Sequence, residues 1–385
     1  MQKYDYIISG TGASGLMLAY HLVLDPFFDN KQILLIDKDV KNQNDRTWCF
    51  WEKVNAFDNY QNWDNIVSKK WDTIFFGSKD FSKQISISPY EYKLIRSKRF
   101  YEFVLKNIIS KSNITIVQEN ILNLKDEGDI VQVETDKAFH LGDKVFNSVP
   151  LSSSYKNQQQ YPVLSQHFVG WFVKTNTPSF DPETAIFMDF TVAQKGNTRF
   201  MYVLPLSETE ALFEYTLFSE TLLSKKEYED EIERYLEEKG VSEYKITEKE
   251  QGSIPMTCYE FRKENSKNIL HIGTVGGWTK PSTGYTFQNS SKKVMELVQF
   301  LKMNNDLTKF KKRTKFWYYD LLFLDLLYTE NQHGAELFSR LFRKNKITTI
   351  LKFLDEETTF LEDLKIMWSM PTGKFLRMIW KRFFK

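Results

Sequence analysis

Two stretches of this chain hold residues able to do chemistry. The first is ALFEYTLFS, residues 211 to 219, where Glu214 stands in the middle of an apolar, β-prone run. Strand alternation sends Ala211, Phe213, Tyr215 and Leu217 to one face, and Leu212, Glu214, Thr216 and Phe218 to the other. A carboxyl group among apolar side chains is held neutral above its ordinary range and becomes a proton donor. On an edge strand facing water the same residue would be an ordinary solvated acid. The second stretch is Gly10-Thr11-Gly12-Ala13-Ser14-Gly15, a GxGxxG spacing. Such glycines let the backbone turn tightly and approach a pyrophosphate at a helix N-terminus. Asp37, followed by Lys38, ends the next apolar run, where an acid meets a ribose hydroxyl. A tight strand–helix turn without a ligand is the other reading of the glycines alone.

The elements that must position these groups follow from the patterning. YDYIISGTGASGLMLAYHLVLDP reads as strand, turn and helix, and QILLIDKD as a continuously apolar strand of a parallel sheet. Residues 42–65 are polar and tryptophan-rich and read as a long structured loop; residues 92–110 read as a helix. Residues 113–149 alternate like a small β-meander, with turns at Glu127-Gly128 and Leu141-Gly142. A polar linker, SSSYKNQQQ, precedes four strand-like runs: QHFVGWFVKT, TAIFMDFTVA, TRFMYVLPLS and ALFEYTLFS. Gly-Asn and Ser-Glu turns punctuate them, as in an antiparallel sheet. SKKEYEDEIERYLEEKG reads as an amphipathic surface helix ending at Gly240. NILHIG is a late buried strand, and GTVGGWTKPSTGYTF leads from it into another helix. From about residue 305 onward the chain reads helical.

The expected fold is α/β. A Rossmann-like dinucleotide domain spans residues 1–150 and 265–304 and is interrupted by an antiparallel-sheet substrate domain, residues 151–264, joined by part of 66–91. A helical region, 305–385, completes the substrate tunnel. Because a simple NAD domain is usually continuous, the interrupted order favours FAD. The loop after NILHIG would then bring Gly273 and Thr274 to the far phosphate, and Pro281 and Gly284 to the flavin ring.

Composition excludes several classes. The net charge is +2, which gives no field for nucleic acid. Two cysteines and five histidines without ligand spacing offer neither a disulfide framework nor a metal site. No signal peptide precedes the first strand, no run approaches the ~20 apolar residues of a spanning helix, and a reducing cytoplasm fits. Aromatic residues reach 16%, enough to line a large apolar cavity or simply to fill a core.

Over nearly its whole length the chain resembles the lycopene β-cyclases, bacterial carotenoid cyclases of the flavoprotein superfamily. The resemblance runs through YDYIISGTGASGLMLAYHL, NDRTWCFW, QHFVGWFV, IFMDF, LPLSETEALFEYT, GGWTKPSTGYTF and RLFRKNKITTILKFLDEETTFLEDLKIMWSMP. It implies cyclisation of the ψ ends of lycopene to β-ionone rings, through γ-carotene to β-carotene. No net redox change occurs, yet FAD is required and is kept reduced by NAD(P)H. The resemblance also implies that Glu214 is the catalytic acid. Asp189, in the neighbouring run, would hold or tune it, or be an exposed strand acid. Arg46 would contact the flavin or be a surface residue of its loop; Tyr285 would touch flavin or substrate, or simply pack.

Plant members carry a FLEET-type stretch at the active strand. The FLDEET of this chain, residues 353–358, lies far downstream, and its acids read as the first turn of a following helix. Thr274 stands where many flavoproteins place an Asp, and DKVFNSV lacks their usual acid–glycine ending, so the flavin is expected to bind loosely. The last residues, KFLRMIWKRFFK, can form a basic amphipathic helix lying on a membrane surface. Two rival readings share the fold: an FAD-dependent monooxygenase or reductase acting on a hydrophobic isoprenoid, and a lipid-binding protein without catalysis.

Overall fold

The computed structural model describes residues 2–54, 63–310 and 313–383. Its first sheet begins with β1 (Lys3–Ser9), and α1 (Ala13–Leu24) follows the glycine turn. β2 (Ile33–Asp37) pairs parallel with β1 on one side and with β8 (Ile114–Gln118) on the other. Four consecutive buried residues of β2 explain its unbroken apolar run, because both faces of the sheet are covered. β11 (Phe139–Asn147) lies parallel to β1 on its other side, and the late strand β17 (Ile269–His271) pairs parallel with β11. β9 (Ile121–Asp126) and β10 (Val131–Thr135) complete this sheet antiparallel. α1, α2 (Ser97–Ile108) and α4 (Phe287–Met303) supply most of the apolar layer on one face.

The second sheet has seven strands in the order β16-β12-β15-β14-β13-β5-β6. The four runs read from the sequence are β12 (Leu164–Thr175), β13 (Thr184–Asp189), β14 (Thr198–Pro205) and β15 (Glu210–Ser219). Three further strands join them: β5 (Thr73–Ser78), β6 (Phe81–Ser86) and β16 (Tyr244–Met256). β5 runs parallel to β13, so the sheet is mixed rather than purely antiparallel. α3 (Lys225–Glu238) covers one face of it. It opens with a capping box at Ser224 and Glu227, and Gly240 follows its end at φ +75°. A smaller sheet, β3 (Thr47–Lys53), β7 (Tyr90–Arg96) and β4 (Lys69–Trp71), is formed by the chain between β2 and β8.

The remaining helices are α5 (Lys315–Thr329), α6 (Gly334–Lys344), α7 (Ile347–Leu354), α8 (Phe360–Ser369) and α9 (Thr372–Phe383). Leu324, Leu326, Phe338, Phe342, Ile350 and others from these helices share one core with the second sheet. Among the described residues, no helix is long and apolar enough to cross a membrane.

Several local expectations need correction. Residues 47–53 form a strand rather than loop, and 55–62 lie outside the described residues. Residues 92–96 belong to β7; the helix begins only at Ser97, because pairing with β3 and β4 keeps the chain extended up to Arg96. The expected meander is not contiguous: β8 crosses to the far side of β2. Leu141 and Gly142 lie inside β11, paired with Gln132 and Val131, and the turn is made by Asp136 and Lys137.

Candidate functional site

The register of the second sheet builds the site. Tyr202 on β14 faces Glu214 on β15, Glu214 faces Gly170 on β12, and Gly170 faces Glu250 on β16. The four positions make one row across the sheet, on the face away from α3. Alternation along β15 confirms the two faces. Ala211, Phe213, Tyr215 and Leu217 pack in the cluster beneath α3, whereas Leu212 and Phe218 join the core shared with the C-terminal helices.

Gly170 leaves a gap in that row. A β-carbon there would lie 3.0 Å from Leu212 Cδ1 and 3.1 Å from Glu250 Cγ. With no side chain in the way, Glu250 lies over Gly170 toward Glu214. Thr216 Oγ1 donates to Glu214 Oε1 at 2.8 Å, the one protein hydrogen bond of that carboxyl among the described residues. Thr47 Oγ1 donates to Glu250 Oε2 at 2.7 Å. Burial pushes the Glu214 carboxyl up to about 8, and the charge of Glu250 adds to this against the Thr216 hydroxyl. Burial raises Glu250 as well, but the Thr47 hydroxyl and the nearby Arg96 and Arg46 guanidiniums oppose it.

Both carboxyls line a cavity of about 490 Å³, within the size range of small-molecule sites. Its walls near Glu214 are Phe168, Phe187, Phe200, Leu212, Phe218 and, from α6, Phe338 and Phe342. Above Glu214 stands a polar patch of phenols. Tyr92 bonds Tyr202 through their hydroxyls and reaches the Tyr285 hydroxyl at 3.0 Å. Burial raises all three phenols and the Cys49 thiol beside them, the latter to about 12, so they are neutral donors.

The same cavity reaches Gly12, Ala13, Ser14 and Gly273 at its other end. The glycine turn is shaped as a phosphate cradle. Gly10 adopts φ +91°, and a β-carbon on Gly15 would lie 2.0 Å from the Gly10 carbonyl oxygen, so neither accepts a side chain. Above Gly12 there is open space: no atom lies within 4 Å of its β-carbon position. The N-terminus of α1 thus points unpartnered backbone N–H groups into the cavity, which fits a dinucleotide pyrophosphate.

A family model described as "Lycopene cyclase protein" matches residues 5–379. The chain belongs to the lycopene cyclase family. Among curated proteins no match was found. Solved structures place it in a fold shared by flavin enzymes. A geranylgeranyl bacteriochlorophyll reductase-like protein from Thermoplasma acidophilum superposes with a TM-score of 0.71 at 12% identity, over 98% of this chain and 99% of its own. A p-nitrophenol 4-monooxygenase from Pseudomonas putida gives 0.60 at 12% identity, over 97% and 99%. A flavoprotein/dehydrogenase from Cytophaga hutchinsonii gives 0.57 at 11%, over 95% and 99%.

In this family member, Glu214, Gly12, Ala13, Arg46, Gly273, Thr274, Gly284 and Tyr285 line one cavity. Thr274 Oγ1 lies 3.0 Å from Thr279 Oγ1. Gly10 and Gly15 form the turn beneath. Asp37, Lys38 and Pro281 stand outside the lining. Asp37 instead accepts from the Thr11 backbone N–H at 2.6 Å and fixes the turn, and Lys38 is exposed, its carbonyl taken by Gln118.

Asp189 is a correction. Its carboxylate accepts from Tyr235 Oη of α3 at 2.7 Å and from the Thr191 N–H and hydroxyl at 3.0 and 2.6 Å. It therefore lies on the α3 face, opposite Glu214, and neither holds nor tunes it. The FLDEET acids need one too. Asp355 caps the end of α7 and accepts from Trp51 Nε1 at 2.8 Å, Glu356 meets Lys280 Nζ at 3.3 Å, and Glu357 meets Lys292 Nζ at 2.8 Å. The first turn of α8 is filled by Glu362 and Asp363 behind the cap Thr359. The FLDEET acids fasten loops together outside the cavity.

Sequence reasoning missed Glu250 and Gly170. KITEKEQGSI alternates charged and polar residues, and every second residue is exposed along β16. The available signal was register: in a pattern of alternating charges, only pairing with β12 shows that Glu250 faces the cavity.

Proposed function

We propose that this chain is a lycopene β-cyclase in which Glu214 protonates the end of the carotenoid chain. The observation that supports this most is a carboxyl held neutral at about 8 in an aromatic cavity that runs on to a pyrophosphate cradle. An alkene is a very weak base, so its protonation needs a neutral acid placed against the π bond in a site from which water is excluded. Phe187, Phe200 and Phe218 line the space where the resulting tertiary cation forms and offer ring faces that attract it. The neighbouring double bond then closes the ring, and the ring cation loses a proton. Gly12, Ala13, Gly273 and Thr274 would hold FAD, kept reduced by NAD(P)H. When bound, reduced flavin would supply negative charge that favours the developing cations.

Expression in a lycopene-accumulating host tests the reading. Cyclised carotenoid should replace lycopene, and Glu214→Gln should prevent this while flavin binding survives. Lycopene left unchanged by a folded, flavin-loaded protein, or NAD(P)H consumed in step with an oxygenated or reduced product, would favour the monooxygenase or reductase class.

The lipid-soluble substrate also calls for membrane contact. α9 docks through Met378, with Phe375 and Ile379 partly buried beside it, and Lys374 and Arg377 are tied to Glu330. The bases are thus not simply solvated as a free amphipathic helix would have them. Outward stand Leu376, Trp380 and Phe383, and α8 adds exposed Phe360, Leu361 and Trp368. These six form the surface we assign to the lipid interface. Replacing Leu376, Trp380 and Phe383 by Ser should lower liposome binding by roughly tenfold or more, since burying one such side chain is worth ~1.5–3 kcal/mol. Unchanged co-sedimentation would exclude this surface.

A further inference from the structure

The cyclisation just proposed requires two proton transfers, one to the chain end and one from the closed ring, and Glu214 accounts only for the first. We propose that Glu250 is the base that takes the ring proton, and that it returns the proton to Glu214 across the gap left by Gly170. This rests on the cyclase reading of the site.

The placement carries the inference. Glu214 and Glu250 are both cross-strand partners of Gly170, on the face that lines the cavity. Two strand spacings separate their backbones, roughly 10 Å. That span leaves room for a substrate end between two side chains that lean over it. The Glu250 side chain occupies the space above Gly170, with Cγ at 3.1 Å and Oε1 at 3.5 Å from the glycine's β-carbon position. Thr47 holds its other oxygen, Oε2. Oε1 of Glu250 thus faces the row in which Glu214 stands, and it has no hydrogen-bond partner in the protein among the described residues.

The two carboxyls differ in what surrounds them. Glu214 is flanked on its own face by Leu212, Thr216 and Phe218, and by the neutral phenol of Tyr202 on β14. The charged groups acting on Glu250 are Arg96 and Arg46, which favour its charged form, and Glu248, which opposes it; Arg96 itself binds Glu248 with both contacts at 2.6 Å. A pair of like acids in one cavity does not ionise twice with ease, so one proton is shared between them. The Thr47 hydroxyl and the two guanidiniums favour the negative charge on Glu250 over Glu214, whose apolar surroundings favour the proton. Neighbouring acids with opposite surroundings take opposite roles.

The step balances with no co-reactant. The Glu214 O–H bond breaks as its proton bonds to the terminal alkene carbon. The next double bond supplies the electron pair that closes the ring and leaves a ring cation. A ring C–H bond beside that cation breaks, its electron pair becomes the new ring double bond, and the proton goes to the Glu250 carboxylate. Transfer from Glu250 to Glu214 restores the starting state, and no electron is gained or lost, as an isomerisation requires.

The test is cyclisation by reduced, flavin-loaded protein in deuterium oxide, comparing wild type with Glu250→Gln. Glu250→Gln should lower β-ring formation by roughly 100-fold or more. Glu214 would still deliver deuterons, so recovered lycopene should carry deuterium, or products should shift to ring isomers and tertiary alcohols. Flavin absorbance of the reconstituted variant reports that it is folded. Gly170→Ala keeps both acids but crowds Glu250 and Leu212, and should show the same product signature more weakly. Three results would overturn the proposal: an unchanged β-ring yield in Glu250→Gln, a folded variant with neither product nor deuterium uptake, or full β-ring formation recovered simply by lowering pH. The last would mean that Glu250 acts only through its charge on Glu214. A wild-type protein that forms no ring at all would instead overturn the cyclase reading, and the base assignment with it.

Discussion

Glu214 and Asp189 are both carboxylates in the apolar strands of one sheet, two strands apart, and they have opposite surroundings. Asp189 is 1% exposed and accepts three hydrogen bonds at 3.0 Å or less, from Tyr235 Oη and from the Thr191 N–H and hydroxyl. It is a buried acceptor whose capacity is used, and it ties α3 to the edge of β13. Glu214 has one donor, Thr216, and otherwise faces a cavity. A buried polar group is normally satisfied by the protein. Where it is not, the missing partner is the point of interest, and under the proposed function that partner at Glu214 would be the substrate or the second acid. Burial and residue type alone do not separate structure from function here; the count of satisfied lone pairs does.

The comparison is broken most directly by exchanging outcomes. Glu214→Gln should reduce ring formation by roughly 10²–10⁴-fold, the usual weight of a general acid. Its melting temperature should hold, because Gln keeps an acceptor for Thr216 and is neutral like the protonated acid it replaces. Asp189→Ala should do the reverse. It strands the buried Tyr235 hydroxyl, while the Thr191 donors are exposed to water, so a loss of roughly 1–3 kcal/mol of stability is expected. Urea unfolding followed by tryptophan fluorescence measures this, and the folded fraction should cyclise at the normal rate. A stable, inactive Asp189→Ala protein would mean that the α3 face takes part in the chemistry.

The same contrast shows what was legible in the sequence. Period-two alternation placed Glu214 and Asp189 in strands, and it split the faces of β15 correctly. The GxGxxG turn and the late return of NILHIG could be read because each is a local signal with one structural solution. Which face of a sheet meets a cavity is not local. It depends on β13 ending in a bulge, with register shifts between Ile186 and Asp189, which turns Asp189 toward α3. Glu250 was hidden for the same reason, since β16 is an edge strand whose charged alternation looks like solvent exposure. β7 was read as helix because YKLIRSKRF has helical spacing, yet pairing with β3 and β4 overrides it. The FLDEET acids were rightly set aside on chain position, but they stand just before the next helix rather than in its first turn, which Glu362 and Asp363 fill.

The finest distinction lies in the single hydrogen bond that Glu214 does make. The Thr216 hydroxyl donates to Glu214 Oε1 and stabilises the charged form, so it opposes burial and the charge of Glu250. The groups facing Glu214 are otherwise neutral phenols of Tyr202 and Tyr285, the Cys49 thiol and Glu250. If Glu214 must be protonated to act, activity is present below its folded value of about 8 and is lost as pH rises through it. Thr216→Val keeps the shape and removes the donor. The carboxyl then holds its proton to higher pH, and the alkaline limb of the rate profile should move up by roughly one unit, the equivalent of ~1.4 kcal/mol for a hydrogen bond to a charged group. The maximal rate below that limb should change little, because the protonated acid needs nothing from Thr216. Were the limb to stay in place, or to move down, the alkaline loss of activity would belong to another group, and the claim that Glu214 is kept neutral for the reaction would lose its sharpest support.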